Sequence, residues 1–292
     1  MDSPGTLGIP DYRLSHGRER AKWGRNFKVW LSKTVEHLKA RGIGYDRFAL
    51  YLVDEPGDDP TRGDMPLLDV AVYIKRLDPN VLLYVNYCPE TEQTIPIVGA
   101  AYDILCPAIS RVMNHGRAEA YRKTGKRVWG YVTSSGKRMS PVGYYRRLIW
   151  TTWQAGFTGC GFWSYSCTGW GNVSTPGRSA WDDMDNPRGN DAAVVYESPT
   201  GPVSSRRWET WREGIEDYEY LWLLRDKLNR TEKQNRSDAV ITQARLALAE
   251  APAAFLAAVK GSHANQPSDK KVSTALSVAR GRILQALMVL RE

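Results

Sequence analysis

Phenylalanine, histidine and cysteine are all scarce, with five, four and four residues in a chain of 292. The cysteines, Cys88, Cys106, Cys160 and Cys167, show no CxxC spacing, and three of them sit in or beside apolar strand-like runs. Buried thiols are therefore expected, rather than a disulfide framework or a zinc site. His115, the most central histidine, has no partner at ligand spacing, so packing or capping is its expected role and no metal is assigned. No stretch approaches the ~18 apolar residues that a bilayer span needs, and no membrane span is expected. The leader MDSPGTLGIPDYRLSHGRER is polar and rich in Gly and Pro, without the hydrophobic region of a signal peptide. The formal net charge is +8, yet no basic stripe with interleaved aromatics and no helix-turn-helix or RNA-module motif accompanies it. A solvated basic surface is the reading, and no nucleic-acid partner is expected.

What is present is enough apolar material for a sizeable core, with 42% hydrophobic residues. The aromatic content is tilted toward 11 Trp and 15 Tyr, rings with a polar handle that suit sugar-binding clefts. Short apolar runs alternate with helix-like stretches, the pattern of βα units around a parallel sheet. Five strands are predicted: Phe48 to Val53, Val81 to Val85, Tyr102 to Cys106, Arg127 to Val132 and Gly161 to Tyr165. Each is hydrophobic nearly throughout, as strands covered on both faces are. Helices are predicted over Asn26 to Ala40, Met65 to Leu77, Glu92 to Ala100, Arg111 to Thr124 and Pro141 to Ala155. A long loop, Cys167 to Asp191, and a hairpin at Ala193 to Pro202 follow. Three helices then close the chain: Trp208 to Leu228, Asp238 to Lys260 and Val272 to Leu290. The last two carry an Ala/Leu face at three-four spacing, a packing stripe, and no cofactor is expected. The fold class is thus α/β with strands spaced as in a (β/α)8 TIM-type barrel, followed by C-terminal helices.

The first strand runs straight into Asp54-Glu55-Pro56, placing two carboxylates where a barrel strand delivers side chains to the active-site face. An acidic pair there can also cap the next helix or hold a surface Arg. As catalysts the two make sense together: one carboxylate beside another resists ionising, so one can stay protonated as general acid while its neighbour is charged. A regular strand throws neighbours to opposite faces, so the backbone must leave β geometry here if both acids are to serve one pocket. Strand ends nominate the rim: Asn86 and Tyr87 after the second strand, Tyr131 in the fourth, and Trp163, Tyr165 and Trp170 at or after the fifth. Core packing is the competing role for each. Trp163 and Tyr165 form the best pair because they share a strand face.

The segment from Trp208 to Leu221, WETWREGIEDYEYL, preceded by Arg206 and Arg207, resembles the RxExxRxGIEDYEYL signature of the domain of unknown function 4091. That domain overlaps the catalytic barrel of glycoside hydrolase family 123, the β-N-acetylgalactosaminidases. The VDEP at Val53 to Pro56 and the GFWSY strand with its Trp-Gly loop go with it, over roughly residues 26 to 230. The resemblance implies an adjacent acid pair at Asp54 and Glu55 acting on a glycan or glycoconjugate, retaining and substrate-assisted. Glu55 would protonate the leaving oxygen while Asp54 orients the 2-acetamido group that attacks the anomeric carbon, outside the usual two-carboxylate scheme. A conventional retaining barrel would need a second Glu three strands later, where this chain reads Gly130-Tyr131-Val132-Thr133-Ser134-Ser135. The competing class is a non-catalytic carbohydrate-binding relative. In the run GIEDYEYL, Glu and Asp are expected to be structural, on a helix locking the barrel.

A strand ending in the acid pair is typically the fourth of eight in such barrels, so the five strands correspond to strands 4 to 8 of a partial barrel. The expected division is an irregular leader over residues 1–25, the hydrolase-like region over 26–230 and a helical extension over 231–292. A truncated reading frame is expected, with the open core covered by the terminal helices or by a partner chain, a homo-oligomer included. Relatives act largely on extracellular glycans, which points by analogy to a periplasmic or secreted setting.

Overall fold

The computed structural model describes residues 18–56, 67–87, 91–133, 139–167, 179–181, 192–232, 239–259 and 269–290. The chain divides into two units, Met1–Trp129 and Gly130–Glu292.

The first unit opens with α1 (Arg18–Ala40), which starts earlier than predicted. Its buried Trp23, Phe27, Leu31 and Val35 recur every four residues and form one apolar face. After a 3-10 turn at Tyr45–Arg47 the βα alternation runs β1 (Ala49–Tyr51), α2 (Leu67–Leu77), β2 (Leu82–Val85), α3 (Ile95–Ala101) and β3 (Ile104–Leu105). It continues through α4 (Ile109–Asn114) and α5 (Ala118–Lys123) into β4 (Arg127–Val132). The helix predicted over 111 to 124 is therefore two short ones, separated where Gly116 takes φ 66°, a left-handed value that glycine adopts without a Cβ penalty. His115 is the C-cap of α4.

The strands pair in parallel, with Tyr51 opposite Tyr84, Val85 opposite Leu105 and Leu105 opposite Val128. Leu83, Val85, Leu105 and Val128 are buried. The alternate positions of β2 are only half-covered, so β2 is not buried on both faces as its run of apolar residues suggested. The predicted alternation of strands and helices holds, and β4 has the predicted bounds. The strand order is β1-β2-β3-β4-β5.

In the second unit a π-helical turn, Pro141–Arg146, leads into α6 (Arg147–Ala155), then β5 (Gly159–Phe162). Gly156 caps α6 at φ 71°, and Trp163 N–H donates to the Val132 carbonyl at 2.8 Å. Two small antiparallel pairs follow: β6 (Ser166–Cys167) with β7 (Ala192–Ala193), and β8 (Val195–Tyr196) with β9 (Val203–Ser204). The helices α7 (Arg206–Glu232), α8 (Ala239–Ala258) and α9 (Asp269–Val289) close the chain. Trp150, Leu221, Leu224, Ile241, Phe255, Leu276 and Ile283 belong to their shared core. By length and composition α8 is apolar enough to cross a membrane, a property that core helices share. Its Ile241, Ala244, Ala251 and Phe255 face the helical core.

The GIEDYEYL run lies on α7, and its letters have separate physical causes. At Gly214 an added Cβ would approach Ile149 Cγ1 to 2.8 Å, so the position needs the absence of a side chain for α7 to pack closely. Asp217 is 1% exposed on its side chain and takes the Arg146 guanidinium as a fork, Nε at 2.6 Å and Nη2 at 2.9 Å. Trp150 Nε1 adds a third donor at 2.9 Å, and Arg280 Nε lies 3.5 Å away. Glu213 takes the remaining Arg146 nitrogen, Nη1. Tyr218 donates to the Phe157 carbonyl at 2.9 Å, and Leu221 is buried in the helical core. A buried carboxylate is tolerable when charge and lone pairs are both satisfied.

Neither Cys106 nor Cys160 is joined in a disulfide, and Cys106 is buried. Burial pushes the Cys160 thiol up to about 11, opposed by a hydrogen bond with Thr152. Cys88 and the side chain of Cys167 lie outside the described residues.

Candidate active site

β1 ends at Tyr51, and the chain then leaves the sheet. Glu55 takes φ 42°, the left-handed region where a side chain crowds the backbone and non-glycine residues are rare. The backbone therefore leaves regular β geometry at Glu55. Both acids are exposed.

Asn86, the first residue after β2, ties this turn together. Its Oδ1 accepts from the Glu55 backbone N–H at 2.9 Å, and its Nδ2 donates to Asp54 Oδ1 at 2.8 Å. The residue is 6% exposed, so its amide is held from both ends and its orientation follows from the network. The Tyr51 hydroxyl donates to the same Asp54 Oδ1. Among the described residues, both hydrogen bonds to the Asp54 carboxylate land on Oδ1, and none reaches Oδ2.

Burial, and then the hydrogen bond to Asp54 and its negative charge, push the Tyr51 phenol well above its ordinary range. The phenol therefore stays protonated and acts as a donor throughout the working pH of proteins. Tyr84, opposite Tyr51 in the sheet, is raised by burial and then by Cys106. Its ring meets Tyr51 edge-on at 5.1 Å and Trp129 at 5.9 Å. A row of three aromatic rings thus runs along the sheet beside the acids. Sequence reasoning missed Tyr51, Tyr84 and Trp129 because residues inside an apolar strand read as core. The signal that could have found them was phenol and indole, rather than aliphatic side chains, at alternate strand positions.

The structure brings together Asp54, Glu55 and Asn86 among the predicted residues of the first unit. Tyr87 it sends elsewhere. The ring is 1% exposed, its hydroxyl donates to Thr94 Oγ1 at 2.8 Å, and its carbonyl accepts from Tyr121 at 2.9 Å. Two cavities of this unit, about 320 and 350 Å3, are walled by Lys75, Asp103 and Lys126 and by Trp23, Leu68 and Tyr73 respectively. Neither has a predicted site residue in its wall.

In the second unit Trp163 and Tyr165 are 59% and 49% exposed. They follow the end of β5, and Tyr165 stands edge-on to Trp208 at 5.5 Å. Tyr131 is half-buried within β4. Trp170, Ser134 and Ser135 lie outside the described residues. Trp181, which sequence reasoning passed over inside a long polar loop, is 58% exposed. It lies on Tyr196 with ring centres 4.5 Å apart, and its Nε1 donates to the Glu197 carbonyl at 2.8 Å. Among the described residues, no three His, Cys, Asp or Glu side chains gather as a metal site.

A family model described as glycoside hydrolase 123, catalytic domain, matches residues 13–224. Among curated proteins no match is found. The matched span includes β1 with its acid pair and α7 through Leu224.

Proposed function

Because the chain belongs to glycoside hydrolase family 123, we propose that it removes a terminal β-linked 2-acetamido sugar, N-acetylgalactosamine or a close relative, with retention of configuration. Membership supports a glycosidase at the general level; the substrate and the assignment of steps are our reading. Glu55 is the general acid and base. Asp54 orients the acetamido group of the substrate, accepting its N–H at Oδ2.

In the first step the acetamido oxygen forms a bond to the anomeric carbon as the bond to the leaving oxygen breaks, and the Glu55 proton goes to that oxygen. The product is an oxazoline-type intermediate. In the second step Glu55, now a carboxylate, takes a proton from water, whose oxygen bonds to the anomeric carbon and releases the acetamido oxygen. No protein nucleophile is required, and the strand that would carry one ends in Gly130-Tyr131-Val132, followed by Thr133, without a carboxylate. Trp163 and Tyr165 are assigned as faces for pyranose rings, since aromatic faces suit apolar sugar faces. The five strands are read as the later part of an eight-stranded barrel.

The observation that carries this reading is the pairing of an anchored carboxylate with an adjacent one on a left-handed turn. Asp54 is held at one oxygen by Tyr51 and Asn86, while Glu55 follows it at φ 42°. Hydrolysis of an aryl 2-acetamido-2-deoxy-β-galactoside by the full chain tests it. Glu55→Gln should lower kcat by about 10²- to 10⁴-fold, the usual weight of a general acid or base, with Tm unchanged. Unchanged rates in that variant remove Glu55 from the mechanism.

A non-catalytic saccharide-binding role is favoured by one observation, the exposure of Trp163, Tyr165 and Trp181. Glycan binding without turnover, unaffected by Asp54→Asn, would select that role instead.

A further inference from the structure

We propose that Tyr51 and Asn86 are positioning residues for the acid pair, Tyr51 by clamping Asp54 Oδ1 and Asn86 by coupling that oxygen to the backbone of Glu55. The inference rests on the hydrolytic reading above and deepens it. It also changes the role of Asn86, which the sequence suggested as a substrate contact.

The geometry leaves Asn86 little to offer a sugar. Its carbonyl is used by Glu55 N–H at 2.9 Å, one amide hydrogen is used by Asp54 at 2.8 Å, and the residue is 6% exposed. Its place just after β2 sets it against the end of β1, because β1 and β2 pair in register through Tyr51 and Tyr84. The same amide therefore fixes two things. It donates to the carboxylate that would hold the acetamido group, and it accepts from the residue whose left-handed backbone would otherwise be disfavoured.

Tyr51 is the second half of the clamp. Its ring is held edge-on against Tyr84, so the hydroxyl reaches Asp54 from a fixed platform. Because the phenol stays protonated, its O–H remains a donor to Asp54. Two donors on Oδ1 concentrate the carboxylate's remaining acceptor capacity on Oδ2. A carboxylate loaded on one oxygen only, in the open, is arranged to receive one further donor. An amide N–H, such as that of a 2-acetamido group, is a donor of the right kind.

A positioning role has a kinetic signature that packing lacks. Tyr51→Phe removes only the hydroxyl and keeps the ring contact with Tyr84. With the aryl 2-acetamido-β-galactoside as probe, it should lower kcat about 10- to 100-fold, with KM changed by no more than about two-fold. Combined with Asp54→Ala, which removes the acceptor oxygen, the same substitution should cost no more than about two-fold further, because its target is gone. Asn86→Asp keeps the shape but replaces the donor with a second carboxylate, and should lower kcat more than Tyr51→Phe does. Circular dichroism and Tm of each variant separate loss of positioning from loss of fold.

Full additivity of Tyr51→Phe and Asp54→Ala, or an unchanged kcat in Tyr51→Phe, overturns this inference and leaves the hydrolase reading standing. Absence of turnover by the unmodified chain overturns both.

Discussion

At the end of β1, Asp54 and Glu55 stand exposed on a left-handed turn, whereas on α7 Asp217 is sealed beneath Arg146, Trp150 and Arg280. The side chains are chemically alike, and the difference lies in what their oxygens still have to give. Asp217 receives the Arg146 fork and an indole N–H, with Arg280 beside it, so its charge is spent inside the protein. Asp54 receives two donors on one oxygen and none, among the described residues, on the other. A carboxylate whose lone pairs are consumed holds the fold together, while one that is anchored yet half-open keeps acceptor capacity on its second oxygen. Substitutions can break this contrast from either side.

The largest effect is expected at Asp217. Its side chain and that of Arg146 are 1% and 6% exposed, so Asp217→Ala would leave a buried guanidinium without its main partner. Breaking a buried pair in this way costs about 3–5 kcal/mol, a large share of the stability of an ordinary domain. Chemical denaturation of the variant should show that loss. Asp54→Ala, by contrast, should cost only about 1–2 kcal/mol, the loss of the hydrogen bonds that Tyr51 and Asn86 donate to it. A stability loss at Asp54 equal to that at Asp217 would dissolve the distinction.

Gly214 comes next. An added methyl would meet Ile149 Cγ1 at 2.8 Å, closer than a real Cβ contact, while the glycine itself sits in a helix interior where alanine is intrinsically better by about 1 kcal/mol. Overpacking by one carbon in a tight interface costs about 1–3 kcal/mol, so Gly214→Ala should be destabilising on balance. Pairing it with Ile149→Ala, which removes Cγ1, should relieve the contact, so the double variant should lose less than the sum of the two single losses. An increase in stability in the single variant would show that the contact yields without cost.

Much of this was legible before the coordinates. The five apolar runs marked the five strands of the sheet because βα alternation and strand length are local properties, and β4 falls on its predicted bounds. The acid pair was legible because it ends such a run, and the departure from β geometry could be demanded from the two-residue period of a strand. Other features were hidden by tertiary geometry. Nothing in the sequence around Asn86 says that its amide faces two backbone-proximal partners rather than a ligand, and nothing around Tyr87 says that its hydroxyl turns inward to Thr94. The break at Gly116 within a predicted helix was open to reading from the glycine itself. The row formed by Tyr51, Tyr84 and Trp129 needed the register of four strands, β1 to β4.

The smallest expected effect is at Glu55, and it has the opposite sign in stability. A glutamate at φ 42° is held in a conformation that glycine adopts freely, so Glu55→Gly relieves backbone strain of about 1–2 kcal/mol. Against this stands the greater backbone freedom of glycine in the unfolded chain, which costs roughly 0.5–1 kcal/mol. The net gain is therefore about 0–1.5 kcal/mol, readable as a raised midpoint in urea unfolding. The same variant should lose turnover as fully as Glu55→Gln. Higher stability with lost activity would mean that this position keeps a strained acid for its chemistry, the reverse of Asp217. Lower stability in Glu55→Gly would place Glu55 with the structural acids and remove the strain argument for it.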